Sequence, residues 1–242
     1  MNKVQKSISR AMHIETLTPS EILGTLNDVE AKNAPLKVFL AGDAQLLTRF
    51  PRVAIVGSRS ASADGLKRAR SLAGALVNHQ MIVVSGLAAG IDTAAHRGAI
   101  DAGGRTIAVL GTPLDECYPR ENEELQHLII SGHLAVSQFP VGQATTPKSF
   151  PMRNRTMALL TDATVIVEAG EKSGTVHQGW EALRLGRKLF LLDSVASNPD
   201  LSWPREMISY GAEVLSRENL EDALADLPAV TSSHAVSYSE LA

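Results

Sequence analysis

Short apolar runs alternate with stretches of helical periodicity along most of this 242-residue chain, and no other feature constrains its fold as strongly. Residues 53–57 (VAIVG) form a near-continuous apolar run that ends in glycine, and 81–84 and 106–110 form two more. Between the first two runs, apolar residues recur at helical spacing from Leu66 to Val77. Continuous apolar runs are typical of strands buried on both faces of a parallel sheet. The pattern therefore predicts an α/β fold, with a doubly wound, mostly parallel sheet and helices on both faces.

The predicted elements divide the chain into three parts. Residues 1–34 are expected to form an N-terminal extension with one short helix near Ser20, where Thr18 and Pro19 also provide capping chemistry. Residues 35–219 are expected to form the folded domain, with strands at 38–40, 53–57, 81–84, 106–110, 134–136, 164–167, 188–192 and 214–215. The predicted helices span 66–77, 92–101, 121–130, 153–161, 176–185 and 207–210. Residues 220–242 end in an aperiodic stretch of Ala, Ser and Thr and are expected to form a flexible tail.

Composition and charge exclude some classes of protein. The chain has 23 Lys and Arg against 26 Asp and Glu, a net charge of -3, so it is not a uniformly basic nucleic-acid coat, although a local basic patch stays open. A single cysteine, Cys117, allows neither an internal disulfide nor a cysteine-based zinc site and fits a reducing cytoplasm. The sequence has no apolar leader and no long apolar run, so we expect a cytoplasmic protein without a membrane span.

Small polar residues follow four of the predicted strands. In open parallel sheets ligands bind beyond the carboxyl ends of the strands, where small residues let backbone N–H groups approach an anion. One glycine-rich turn usually only makes a turn, but four on one edge indicate an anion-binding site, and Arg59 adds a bidentate phosphate donor. The four strand ends are Gly57-Ser58-Arg59, Ser85-Gly86 with Gly90, Gly111-Thr112, and Gly170 with Ser173-Gly174-Thr175.

A basic segment without any acidic residue spans 139–161 and contains Lys148, Arg153 and Arg155, with Phe150 just before the arginines. Arginines at a helix start beside an aromatic residue suit a phosphate backbone with one stacked base. The same arginines could equally be solvated or paired with Asp162 or Glu168, and the spacing alone leaves both interpretations open. If Glu168 pairs with a cation, we expect that cation to be Arg155. Aromatic residues make up only 4% of the chain, which predicts binding that tolerates many base sequences.

Catalytic and cofactor motifs are missing from the sequence. The first turn, GSRSAS, lacks the later glycines of a dinucleotide fingerprint, and Glu171 stands where a P-loop requires glycine. The histidines show no metal-ligand spacing, and no nucleophile elbow occurs. Asp92 and His96 lie four residues apart and could act as acid and base, but Asp92 is expected to cap its own helix. We therefore expect no catalytic residue, metal or cofactor, and a protein that is not an enzyme.

Four strings, in this order, resemble the DNA-processing protein A family (DprA, also called Smf). They are VAIVGSR (53–59), SGLAAGIDTAAHRGAI (85–100), AVLGTPLDECYPREN (108–122) and FPMRNRTMALLTDATVIVEA (150–169). The resemblance, which runs from about residue 35 to 192, implies an extended Rossmann-like fold that binds single-stranded DNA and associates as a homodimer. It also implies loading of a RecA-type recombinase in DNA recombination and natural transformation, without enzymatic activity.

Carried over residue by residue, the resemblance implies a DNA pocket on two segments. Gly57, Ser58 and Arg59 form the first, and Phe150, Arg153, Asn154 and Arg155 the second, with Ser85, Gly86 and Gly90 as a wall and Lys148 as a looser match. The sequence departs from the family pattern at Gln138, where a glutamate is usual, and at Gln178, where a threonine is usual. The residues themselves also predict a phosphate contact at Ser173, Gly174 and Thr175.

A second hypothesis comes from another class of protein. The loop 173–178, SGTVHQ, is similar to the loop with which cytokinin-activating phosphoribohydrolases bind a nucleoside monophosphate. Those enzymes carry a catalytic glutamate where this chain has Gln178, and an amide cannot act as a general acid or base. Hydrolysis is therefore disfavoured, but a sensor that binds a small nucleotide and signals to a partner stays open.

Overall fold

A computed structural model describes residues 13–225 and 227. Within these residues nine strands form one sheet in the order β1-β2-β6-β5-β4-β3-β7-β8-β9. The strands are β1 (Glu15–Leu17), β2 (Val38–Gly42), β3 (Arg52–Gly57), β4 (Ile82–Ser85), β5 (Thr106–Leu110), β6 (Leu134–Ser137), β7 (Ala163–Glu168), β8 (Lys188–Leu192) and β9 (Glu213–Leu215). The seven strands from β6 to β9 are parallel, whereas β2 runs antiparallel to both β6 and β1.

Helices cover both faces of the sheet. They are α1 (Pro19–Leu23), α2 (Asp28–Asn33), α3 (Ala63–Asn78), α4 (Ile91–Asp101), α5 (Glu123–Gly132), α6 (Ser149–Leu160), α7 (Gly174–Arg184), α8 (Asp193–Ala196), α9 (Trp203–Ser209) and α10 (Leu220–Ala225). Successive side chains of β3 point to opposite faces, so Val53 and Ile55 join α3 and α4 in one apolar cluster. Ala54 and Val56 pack with α6 and α9 on the other side.

The strand order reverses at β3, and this reversal positions the site. From β3 the chain moves outward through β4, β5 and β6, then returns through α6 to place β7 against the other side of β3. In doubly wound sheets the crevice beyond such a switch point is where ligands bind. The loops that follow β3 and β7 therefore flank the expected binding crevice.

The predicted α/β architecture is confirmed, and each predicted strand is present to within two residues at either end. The predicted tail is wrong at 220–225, because α10 buries Leu224 in the cluster under α3. Part of the predicted N-terminal extension belongs to the sheet, since β1 pairs with β2. The short helix near Ser20 exists as α1, capped by Thr18 and Glu21. The rest of both terminal predictions lies outside the described residues.

Candidate nucleic-acid interface

A cleft of about 900 Å³ opens at the carboxyl ends of β3 and β7. The loop after β3 forms one side, the loop before α7 forms another, and the start of α6 with the loop that precedes it closes the third. The predicted site residues that line the cleft are Gly57, Ser58, Arg59, Phe150, Arg153, Asn154, Ser173, Gly174 and Thr175. The fold thus brings together residues more than one hundred positions apart in the sequence.

Backbone hydrogen bonds fix the loop after β3. The Ser58 amide donates to the carbonyl of Glu168 on β7 at 2.7 Å, and the Ser58 carbonyl accepts from the Ile91 amide at 3.1 Å. A Cβ atom at Gly57 would lie 2.6 Å from Cγ1 of Ile91, so the close approach of β3 to α4 requires glycine there. The loop is held on both sides while the Arg59 side chain stays exposed.

Phe150 forms the aromatic part of the cleft wall. The Arg59 guanidinium carbon lies 5.6 Å from the centre of its ring, a cation–π geometry, and the Tyr118 ring centre lies 5.3 Å away at a tilt of 50°. Phe150 also covers Gly111, where a Cβ atom would be 2.7 Å from the ring. The prediction that Gly111 and Thr112 offer an anion contact is wrong, because Phe150 fills that space and the Thr112 hydroxyl donates to the carbonyl of Glu116.

Arg153 is a buried arginine that supports the cleft from behind. It is 6% exposed, its Nη1 donates to the carbonyl of Val109 at 3.0 Å, and its Nε donates to Oδ1 of Asn154 at 3.0 Å. A Cβ atom at Gly86 would overlap its guanidinium, so Gly86 makes room for this side chain. Burial lowers the pKa of Arg153, and the charge of Asp92 opposes that shift.

Asp92 is buried against the strand-end loop that follows β4. Its Oδ2 accepts from the amides of Gly86 at 3.1 Å and Ala88 at 3.3 Å, and it makes no cap to its own helix, which begins after Gly90. The predicted capping role is therefore wrong. Burial raises the pKa of Asp92, and the charge of Arg153 acts in the opposite direction. His96 is fully buried beside Thr106, and burial lowers its pKa to about 3, so Asp92 and His96 do not form an accessible acid–base pair.

The loop before α7 faces the β3 loop across the cleft. The Ser173 hydroxyl accepts from the Thr175 amide at 3.2 Å and caps α7, while Lys172 is exposed beside it. The Asn154 side chain donates to the carbonyl of Gly174 at 3.3 Å and ties α6 to this loop. The N-terminus of an eleven-residue helix adds positive potential to the cleft, which Lys172 and Arg59 also line.

No exposed acidic side chain lines this cleft among the described residues. Asp92 is the one carboxylate among the described residues that line it, and its oxygen is held by two backbone amides. Glu168 accepts from the amide and hydroxyl of Ser62, at 2.9 Å and 2.5 Å. The prediction that Glu168 pairs with Arg155 is wrong, because Arg155 pairs with Glu181 at 3.1 Å. The accessible charge of the cleft is therefore positive.

Some predicted contact residues do not line the cleft. Arg155 points to Glu181 on α7, and Lys148 is exposed at the start of α6. The Ser85 hydroxyl donates to the carbonyl of Ile55 at 2.7 Å, so Ser85 joins β4 to β3 behind the cleft. Gly86 and Gly90 shape the neighbouring loop rather than the cleft surface. The space beside Gly86 is filled by the Arg153 guanidinium.

The residues that line the cleft also include Tyr118, Lys172 and Gln178, which the sequence did not indicate as contacts. In the sequence, Gln178 stands out only as a departure from a usual threonine or catalytic glutamate, and Lys172 only as part of a rejected P-loop. Helical periodicity could have indicated Gln178, which lies one turn after Gly174 on the side of α7 that faces α6 and the sheet. Tyr118 follows β5 through a long loop, and no local pattern indicates its position.

Two further structural findings concern the described part of the chain. No helix there is long and apolar enough to cross a membrane. No group of three or more His, Cys, Asp or Glu side chains in residues 13–225 and 227 is placed to hold a metal ion.

The family of the chain follows from comparison with known proteins. A family model described as DNA recombination-mediator protein A matches residues 19–228, which include every strand from β2 to β9. The chain belongs to this family. The match extends the resemblance seen in the sequence beyond β8 and includes both loops of the cleft.

Two curated relatives and two solved structures agree with this assignment. DNA processing protein DprA of Streptococcus pneumoniae is 38% identical over 81% of this chain, and that of Bacillus subtilis is 33% identical over 80%. The chain spans 68% and 65% of the lengths of these two relatives. The solved structure of the pneumococcal protein superimposes with a TM-score of 0.74 and 32% identity, covering 94% of this chain and 79% of that one.

A structure of DNA processing protein A from Helicobacter pylori, which concerns that protein's single-stranded DNA binding mode, superimposes with a TM-score of 0.75 and 26% identity. It covers 89% of this chain and 97% of the other. Together with the pneumococcal structure, it confirms the extended Rossmann-like fold that the resemblance implied. The chain is therefore a DNA-processing family member with the fold that this family uses.

Proposed function

We propose that this chain binds single-stranded DNA in the cleft between the loops after β3 and β7, and that it does so in the cytoplasm. The strand's phosphates would contact Arg59, Lys172 and the backbone amides at the start of α7. The Helicobacter pylori relative supports the choice of ligand. The observation that carries the proposal is the charge of the cleft, in which cations face the opening and the one lining carboxylate is buried.

The role of the bound strand is also a proposal. We infer that the chain, as a homodimer, presents single-stranded DNA to a RecA-type recombinase, as its family membership suggests. Co-purification of a filament-forming recombinase with the DNA-bound chain, but not with the DNA-free chain, is the expected result. Recombinase binding that is independent of DNA would contradict the handover, although DNA binding itself would stand.

Replacing Arg59 by alanine is expected to weaken binding of a fluorescent single-stranded oligonucleotide by about 10- to 150-fold, because a charged contact to phosphate contributes about 1.5–3 kcal/mol. Anisotropy titration measures this change. The slope of log affinity against log salt should also fall in magnitude by about 0.7 for the lost phosphate contact. Arg59 is exposed and its neighbours hold the loop through backbone bonds, so the variant is expected to fold normally.

Arg49→Ala is the matched control. Arg49 is also exposed, but it precedes β3 and therefore lies at the opposite, amino-terminal end of the sheet. Its affinity for the oligonucleotide should stay within about twofold of that of the unmodified chain. Equal losses in the two variants would mean that binding depends on total charge and not on the cleft.

We further propose that the cleft binds without catalysing a reaction. Gln178 offers an amide where a hydrolase would need a carboxylate, and Glu168 is held by Ser62 outside the cleft lining. Incubation with AMP, ATP or single-stranded DNA, with and without magnesium, should therefore release no base, phosphate or shortened strand in chromatography. Release of product that is lost in Asp92→Asn would show that the buried carboxylate is catalytic and would contradict the proposal.

A further inference from the structure

Gln178 is a buried amide without a hydrogen-bond partner at the cleft. It lies on α7, is 1% exposed, and belongs to the residues that line the cleft. Neither its Oε1 nor its Nε2 has a hydrogen-bond partner among the described residues. Asn122, by contrast, is also buried, and its Nδ2 donates to the carbonyl of Leu87 at 2.9 Å and to the Thr93 hydroxyl at 2.8 Å. Among the described residues, Gln178 is the one side chain with two buried polar atoms that both lack a partner.

Burying an unpaired amide destabilises a folded protein, because the group loses its hydrogen bonds to water without replacement. Such groups in folded proteins are usually compensated by an ordered water or by a bound molecule. Both the donor and the acceptor of Gln178 are unpaired, so a compensating partner would offer an acceptor and a donor side by side. A phosphate oxygen, which only accepts, does not meet this requirement.

The edge of a nucleobase does meet this requirement. We propose that the cleft receives one nucleobase, whose hydrogen-bonding edge is bound by the Gln178 amide. This inference rests on the proposed function and specifies which part of the nucleotide the buried end of the cleft contacts. Each of the four bases carries a donor and an acceptor next to each other, and a primary amide that rotates by half a turn can match either order.

The surroundings of Gln178 suit a base better than a phosphate. Val56 and Met157, both buried, also line the cleft and provide apolar contact for a flat ring. The groups that suit phosphate, Arg59 and Lys172, are exposed at the opening. One nucleotide could then place its backbone at the opening and its base inside, and the rotating amide would keep binding tolerant of base sequence.

The experiment compares a short oligothymidylate with the same strand built from N3-methylthymidine, in which a methyl group replaces the donor hydrogen of the base edge. The unmodified chain is expected to bind the methylated strand about 10-fold more weakly, the equivalent of one to two hydrogen bonds. Gln178→Leu should bind both strands equally, at the lower affinity, with an unchanged salt slope. Its Tm without nucleic acid should equal or exceed that of the unmodified chain, because an unpaired buried polar group has been removed.

Gln126→Leu is the matched control, because Gln126 is also buried but its Nε2 donates to the carbonyls of Leu114 and Glu116, both at 3.2 Å. This variant should lower the Tm and still discriminate between the two strands. If the unmodified chain binds both strands equally, or if Gln178→Leu still discriminates, the base-edge contact is overturned while single-stranded DNA binding stands. If Gln178→Leu has a lower Tm and still discriminates between the strands, Gln178 stabilises the fold and does not bind a base, which would also overturn the proposal.

Thymidine monophosphate and its N3-methyl form distinguish a pocket for a base of a DNA strand from a pocket for the base of a free nucleotide. If neither oligonucleotide binds, the proposed function fails, and the mononucleotides then decide the inference by themselves. Binding of the unmethylated mononucleotide, lost in Gln178→Leu, would support a base pocket that serves a free nucleotide. Absence of binding to every one of these ligands would overturn both proposals together.

Discussion

Replacing Arg153 by alanine is expected to lower the free energy of unfolding by about 3–5 kcal/mol, the loss typical of removing one partner from a buried pair of charges. The substitution removes the hydrogen bond to Val109 and leaves the buried Asp92 carboxylate without the charge that opposes its desolvation. It also leaves a cavity against Gly86. Urea denaturation at neutral pH measures the change.

The pH dependence of the variant provides an independent check. Without Arg153 the folded-state pKa of Asp92 should rise further above its ordinary value, so the folded chain binds a proton more tightly than the unfolded chain does. The stability deficit should therefore be largest at neutral pH and shrink as the pH falls through that raised pKa. Asp92→Asn in the Arg153→Ala background should recover part of the loss.

Arg155→Ala is the internal control for Arg153. Arg155 stands two residues later on the same helix, with a side chain that is 42% exposed and paired with Glu181. Exposed ion pairs contribute little, so the expected loss is below about 1 kcal/mol. Equal losses in the two variants would contradict the assignment of Arg153 as the buried support of the cleft.

Gly90→Ala is expected to cost about 3 kcal/mol or more and to abolish binding in the cleft. Gly90 has a φ of +76°, which residues other than glycine rarely adopt. A Cβ atom at this position would lie 2.3 Å from the Ser58 carbonyl oxygen. The strain alone costs about 1–3 kcal/mol, and the clash with backbone atoms adds to it. Because Ser58 and Arg59 must move to relieve the clash, oligonucleotide affinity should fall together with the urea midpoint.

Gly103→Ala is the control that separates the backbone strain of a positive φ from the clash of the added Cβ atom. Gly103 has a similar φ of +73°, but nothing lies within 4 Å of its added Cβ atom, and it is far from the cleft in the turn after α4. This variant should lose only the strain, about 1–3 kcal/mol, which is less than the loss in Gly90→Ala, and bind DNA normally. If the free energy of unfolding falls equally in the two glycine variants, the close approach of Gly90 to the β3 loop does not contribute to stability.

The fold was predictable because its signals are local and strong. The parallel strands are buried on both faces, so each appears in the sequence as a run of apolar residues, and glycine ends β3. The elements that the sequence did not predict are short. β1 has three residues and α8 has four, so neither shows a period, while α2 is a six-residue polar helix with Glu30 as its one buried residue.

The candidate site was predictable in its position but less so in its chemistry. The strand-end loops at 57–59 and 173–175 line the cleft as predicted. The sequence could not assign roles to Arg153 and Arg155, because residues two apart on a helix point in different directions and which direction is inside depends on the packing of α6. Glu168 was misassigned for a similar reason, since its partner Ser62 lies in a loop more than one hundred residues earlier.

Photochemical cross-linking tests the location of the DNA most directly. Tyr118 and Tyr210 are both exposed, at 52% and 68%, but only Tyr118 of these two lines the cleft. Irradiation of the chain with single-stranded DNA that carries 5-iodouracil, followed by mass spectrometry, is predicted to give adducts on Tyr118 and Phe150, reduced in Arg59→Ala. Adducts on Tyr210 that equal or exceed those on Tyr118 would contradict the assignment of the cleft as the site of single-stranded DNA binding.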